Sequence, residues 1–396
     1  MLLSFSLIIL LGFALKGIFE KMKVPGLLGM LLAGILLGPH ALNLISPEIM
    51  AVSADLREIA MIIILVRVGI TLDLKDLKKV GRPAILMSFV PATLEIIGVV
   101  LLAPPLLGIS YIEAAILGAI LGAVSPAIIV PKMLHLMEAG YGKTNSVPQM
   151  ILAGASADDI YVIVLFTSFM GLATGEGFNP LSLLRIPVSI VTGLLAGLLI
   201  GYILVKLFRR IHMRDTVKVL LILGLAFLVM GFEPMINRIV PFSGFLAVMA
   251  IGGAILKSYE TLAKRITGKF SKIWVAAELI LFVMLGAVVD IEHVRGVGLS
   301  VVLLILAVLV FRSLGVVVSL ARTQLTRKER LFCMIAGIPK ATVQAAIGAL
   351  PLAAGLAAGN TILAASVLSI LISAPLGAVG IEITYKRLLM RRVETH

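Results

Sequence analysis

Apolar runs of roughly twenty residues follow one another along this chain, each long enough to cross the hydrocarbon core of a bilayer as a helix. No other feature narrows the fold so far. Of the 396 residues 60% are hydrophobic and only 14% are charged, with a mean hydropathy of +1.14. A soluble domain carries about a quarter charged residues. The pattern predicts an all-α polytopic membrane protein with thirteen transmembrane helices, near residues 2–20, 25–43, 55–72, 83–104, 112–137, 148–173, 183–208, 216–236, 243–258, 272–289, 299–321, 330–351 and 355–384. It leaves no stretch long enough for a substantial soluble domain. The first run, "MLLSFSLIIL", has no positive n-region and no clear cleavage site, so it reads as a retained span. The single cysteine, Cys333, lies in an apolar segment, which excludes an internal disulfide.

The net charge of +13 could suggest a nucleic-acid partner, but the placement of the basic residues argues against it. Threading thirteen spans puts 27 of the 34 Lys and Arg residues on one side: Lys16, Lys21 and Lys23, the group from Lys75 to Arg82, Lys132 and Lys143, the runs Lys206–Lys218, Lys257–Lys272 and Arg322–Arg330, and the tail from Lys386. Arg57, Arg185, Arg238 and Arg295 fall on the other. The positive-inside rule makes the crowded side cytoplasmic, with the N-terminus outside and the C-terminus inside. Location in the inner (plasma) membrane of a prokaryote is the expectation, and no nucleic acid is expected.

The chain also repeats itself. "VRVGITLDLKDLKKVG" at 66–81 and "VMLGAVVDIEHVRGVG" at 283–298 share a glycine, an aspartate and a closing Val-Gly at an offset of 217. Spans 1–6 then correspond to spans 8–13, and a shift of seven spans forces the two halves to be inverted. Inverted repeats mark secondary transporters, whose substrate site lies near the midplane and is built from interrupted helices. Span 5 carries Pro126 and Pro131, and span 12 carries Gly337 and Pro339. Such residues break a helix and expose backbone polar groups at membrane depth.

Six ionisable residues are expected well inside spans: Arg67, Glu95, Asp158, Asp159, Arg312 and Lys340. A charge at a helix centre costs roughly 2.5–3.5 kcal/mol on insertion scales, so these should pair or line a wet cavity. Glu95 plus the repeat offset is Arg312, which predicts an ion pair between the halves, as scaffold or as a control on ion affinity. The same mapping carries Asp158 and Asp159 to Ser373 and Ala374, so the acidic centre is unmirrored. Neighbouring helical residues point about 100° apart. One aspartate can therefore meet a fixed cation, for which Lys340 is the candidate, while the other opens into a cavity. Asp159, Ser156, Ser125 and carbonyls freed near Pro126 could coordinate a small alkali ion, since hard cations take oxygen ligands. Poor solvation favours the neutral carboxylate, so one group could carry either a proton or a cation. Arg67 reads as structural support, and Asp73 and Asp290 as caps or loop anchors.

"GASADDIYVIVLF", "AVSPAIIVP", "GIPKATVQAAIGALP" and "LVRVGITLD" together resemble the monovalent cation/proton antiporter superfamily, in particular its two-aspartate branch related to NhaA and NapA. The resemblance spans nearly the whole chain. It implies an NhaA-like fold of two inverted six-helix repeats with two crossed broken helices. It implies a panel of residues 1–80 and 216–296 that forms a homodimer, and a core of 83–173 and 299–384 that moves elevator-like. Residues 183–208 would be a linker helix and 385–396 a short cytoplasmic tail. It implies that Asp159 is the principal ion- and proton-binding residue with Asp158 its neighbour, that Na⁺ or Li⁺ exchanges for H⁺, and that no cofactor is needed. Arg312 stands where some members carry lysine, and an arginine is unsuited to releasing a proton. The alternatives are a K⁺/H⁺ exchanger or another cation-coupled carrier on the same fold and, more remotely, an intramembrane aspartyl protease. The last needs two carboxylates facing one water, usually from separate helices.

Overall fold

The computed structural model describes residues 1–22, 24–71, 81–142, 144–175 and 185–391. Among these residues no strand occurs, and eighteen helices carry the fold. The chain divides into two compact units, Met1–Ala54 with Leu74–Phe169 and Phe282–His396, and Asp55–Asp73 with Met170–Leu281. Asp73 and three of the basic residues expected beside it lie outside the described residues.

In the first unit, α1 (Leu2–Lys21) and α2 (Gly26–Leu37) lead into the short α3 (Pro47–Ala51). Helices α5 (Arg82–Met87), α6 (Val90–Leu107), α7 (Tyr111–Gly122) and α8 (Pro126–Glu138) follow, then most of α9 (Val147–Thr174). The later part holds α14 (Ile291–Ser319), α15 (Arg327–Ala336), α16 (Thr342–Ile347), α17 (Leu350–Ala353) and α18 (Gly359–Leu388). The second unit holds most of α4 (Ser53–Thr71), then α10 (Arg185–Arg210), α11 (Asp215–Asn237), α12 (Gly244–Ser258) and most of α13 (Glu260–Ala287).

Local chemistry accounts for many of the boundaries. Ser110 and Glu113 form a capping box at the start of α7, and Thr326 and Glu329 form another at α15. Asp290 is the N-cap of α14, accepting from the backbone N–H groups of Glu292 and His293, as its place at a span end suggested. Those bonds hold its carboxyl below the usual carboxylate range. α6 stops at Gly108, whose φ of 67° suits a residue without a side chain.

Packing relies on small residues, as expected where lipid removes most of the hydrophobic drive between helices. On α10, Gly193, Gly197 and Gly201 recur every fourth position and lie against the backbone of the Ser243–Ala254 stretch. In the first unit a side chain at Gly34 or Gly286 would collide with the facing backbone at Val283 or Leu31, so only glycine permits that approach of α2 to the end of α13.

Seven of the described helices are long and apolar enough to cross a membrane, and several outer faces present large apolar side chains, such as Leu195, Leu199 and Tyr202 on α10. Shorter apolar helices make up much of the remainder. Two of the expected spans are short for a specific reason, because each is interrupted.

Candidate functional site

The first interruption occupies residues 123–125, between α7 and α8. Its cause is the loss of three helical donors in a row. In an unbroken helix the N–H of residue 124 would serve Ile120, that of 125 would serve Leu121, and that of 126 would serve Gly122. Instead Val124 donates to Asp158 Oδ2 at 3.1 Å, Ser125 donates to the Pro339 carbonyl at 2.8 Å, and residue 126 is proline. The helix resumes at Pro126, where a missing N–H is harmless. Pro131 was expected to contribute to the break, but the backbone stays helical through it, so the interruption lies wholly ahead of Pro126. The second interruption runs from Gly337, the C-cap of α15, to Ala341. Gly337 and Pro339 both belong to it, and Lys340 sits in its middle, with its own N–H donated to Ser373 Oγ at 3.0 Å.

The carbonyls left bare on α7 are covered by side chains from the later part of the same unit. Gln344 Nε2 donates to Ile120 O at 2.8 Å and to Ala123 O at 3.1 Å. Lys340 Nζ donates to Leu121 O, and Arg312 Nη1 to Gly122 O. Two cations and an amide thus cap the negative end of a half-helix dipole. Each of these carbonyls thus already accepts one side-chain hydrogen bond, with a second lone pair remaining.

The same cations hold two of the three buried acids expected within spans, Glu95 and Asp158. Arg312 bridges Glu95 Oε2 and Asp158 Oδ2, both at 2.9 Å, and its Nε donates to Gly337 O at 2.6 Å. The Glu95–Arg312 pair expected from the repeat offset is present. Lys340 Nζ lies 2.7 Å from Glu95 Oε1. This corrects the expectation in which Lys340 faced an aspartate: Arg312 takes that place, while Lys340 pairs with the glutamate. Leu121 O and Glu95 together hold the ammonium in the break.

Asp159 stands apart. It is 5% exposed, its Oδ1 is buried without a hydrogen-bond partner, and no ion pair reaches it among the described residues. Ser125 Oγ and Asp158 Oδ1 are likewise buried without partners among the described residues. The side chains of Ser156 and Pro131 lie outside the described residues, although both backbones are helical. Glu95, Asp158, Arg312 and Lys340 are all at most 3% exposed, so their charges are out of water and depend on one another.

Three further residues were missed by the inventory of intramembrane charges and ligands. Glu278 on α13 lies electrostatically close to Arg67, giving that arginine an acidic neighbour. Glu233 on α11 accepts the N–H of Gly244 at 3.0 Å. Both were legible as acids within apolar runs. Gln344 carried no comparable signal, since an uncharged side chain in an apolar run does not stand out.

Residues 6–387 match the family described as "Sodium/hydrogen exchanger, transmembrane". The human sodium/hydrogen exchanger 9B2 is 34% identical over 386 residues, covering 93% of this chain and 70% of the human protein. Human sodium/hydrogen exchanger 9B1 is 29% identical over 389 residues, covering 94% and 74%. The sodium proton antiporter MjNhaP1 from Methanocaldococcus jannaschii, solved at pH 8, superposes with a TM-score of 0.83 at 22% identity, covering 97% of each chain. That likeness establishes the fold. The chain belongs to the sodium/hydrogen exchanger family, as a multi-pass membrane transporter rather than an enzyme, and it needs no cofactor.

Proposed function

We propose that this protein exchanges Na⁺ or Li⁺ for H⁺ across the membrane, with the two ions competing for Asp159 by alternating access. One observation carries the reading. Of the three buried acids Glu95, Asp158 and Asp159, the first two are matched by Arg312 and Lys340, and Asp159 alone lacks a fixed cation among the described residues. An unmatched carboxylate in a poorly solvated place must take up either a proton or a metal cation. Exchange follows if that choice is offered to each side in turn. Asp158, Ser125 and Ser156 are the further ligands of this reading, and Arg312, Lys340 and Glu95 keep the surrounding charge balanced.

The rest of the architecture belongs to the same proposal. Thirteen spans form two inverted repeats, a reading supported by direct pairing of Glu95 and Arg312 across 217 residues and by the contact of Ser125 with Pro339. Residues 83–173 and 299–384 form a core that moves elevator-like. Residues 1–80 and 216–296 form the panel and the homodimer contact, and 183–208 link them. The basic side faces the cytoplasm, with the N-terminus outside, in the plasma membrane of a prokaryotic cell.

The test is purified protein in liposomes with an imposed pH gradient, to which Na⁺, Li⁺ and K⁺ are added in turn. Dissipation with Na⁺ or Li⁺ is expected, and Asp159→Asn should abolish it while the variant still folds. Dissipation with K⁺ alone would reassign the cargo. No dissipation with any cation, or normal exchange by the variant, would refute the proposal.

A further inference from the structure

We infer that Gln344 is a specificity-determining residue whose side-chain carbonyl oxygen ligates the transported cation during its passage. The inference rests on the antiport reading above and extends it to a residue on α16. Orientation comes first. The amide nitrogen faces two backbone carbonyls, Ile120 O at 2.8 Å and Ala123 O at 3.1 Å. A flipped amide would set oxygen against two oxygens, so the network fixes Nε2 on the α7 side. Oε1 must then point away from those carbonyls, and there it is buried with no donor among the described residues, in a side chain that is 0% exposed.

A buried carbonyl without a donor costs about 1–3 kcal/mol, and its neighbours share the condition. Ala123, which anchors the amide, adjoins Val124, which holds Asp158, and Ser125 comes next. Asp158 Oδ1, Asp159 Oδ1, Ser125 Oγ and Thr342 Oγ1 are all buried without hydrogen-bond partners among the described residues. Unpartnered oxygens on or beside the two breaks, which the Ser125 N–H to Pro339 O bond joins, supply the kind of ligand a hard cation requires. A proton needs only the carboxylate. A dehydrated alkali ion needs several oxygens, so a neutral ligand separates cation affinity from proton affinity without altering the charge balance. Gln344 meets that requirement, and Arg312 and Lys340, which carry no acceptor, cannot.

The experiment measures the KM for Na⁺ and for Li⁺ in liposomes for the wild type, Gln344→Leu and Gln344→Asn. A charge-assisted contact of this kind predicts about a tenfold or larger rise in the Na⁺ KM of Gln344→Leu, with a changed Na⁺/Li⁺ ratio. Gln344→Asn keeps the amide but is one methylene shorter, and should show a smaller rise in the same direction. An unchanged KM in either folded variant, or a fall in maximal rate alone, would overturn the inference by leaving Gln344 a positioning residue for α7. Failure of both variants to fold would do the same. A wild type that moves none of the cations would instead refute the antiport reading, so the two failures are distinguishable.

Discussion

The two breaks in the chain do different chemistry. At residues 123–125 the chain presents acceptors, because its own donors have gone to Asp158 and Pro339 or are absent at Pro126. At 337–341 the chain and the helix after it supply donors, since Lys340 and Gln344 both reach back to the α7 carbonyls. Arg312 serves both, donating to Gly122 O at one break and Gly337 O at the other. The lesson is that two helix breaks in contact need not be symmetric to be satisfied. One break can be the acid-facing, oxygen-rich half and the other its source of positive charge. That division leaves Asp159 without an ion pair among the described residues.

The strongest way to break this comparison is to remove the residue common to both sides. Arg312→Leu strips two carbonyls and two carboxylates of a donor at once, and breaking a buried pair from one side costs about 3–5 kcal/mol. Thermal unfolding in detergent should show a drop of many degrees, the largest of any substitution at the site. A midpoint within a degree or two of the wild type would mean that the arginine does not hold the breaks together.

A smaller loss is expected from Lys340→Met. Glu95 keeps Arg312 in that variant, so about 1–3 kcal/mol should be lost, comparable to leaving one buried polar group unsatisfied. The sharper measurement is the cycle with Glu95→Gln. If Lys340 and Glu95 act on each other, the double variant should be less destabilised than the sum of the two single ones. Additive losses would uncouple the lysine from the glutamate and undo the assignment of Lys340 as its partner.

Much of this centre was legible in the sequence, and the part that was not has a common cause. Glu95 and Arg312 could be matched because a constant offset relates positions without any knowledge of helix rotation. The Asp158–Asp159 pair stood out as charge in an apolar run. Which cation met which acid could not be read, since it depends on how α14 and the second break are turned about their axes. The sequence reading therefore gave Lys340 to the aspartates, whereas Arg312 reaches Asp158 and Lys340 reaches Glu95. Pro126 and Pro131 were both read as breakers of span 5, yet only Pro126 sits at that interruption, in the first helical position that tolerates it. Gln344 was invisible because its part is geometric: two carbonyls set its orientation, and neither is encoded in the side chains nearby.

The finest test of the comparison lies at Pro126 itself. Pro126→Ala restores one N–H at the position from which an unbroken helix would serve Gly122 O, where Arg312 Nη1 now donates. Global stability should change by less than about 1 kcal/mol, since the site is the first turn of α8 and the main effect there is on the unfolded chain. Transport is the sensitive readout. If the break depends on withholding donors from α7, the new N–H competes with Arg312, and exchange should slow while the thermal midpoint barely moves. If Asp158 and Pro339 alone keep the break open, by holding the N–H groups of Val124 and Ser125, the rate should be unchanged. That outcome would demote the proline from a cause of the interruption to a residue merely tolerated at its edge.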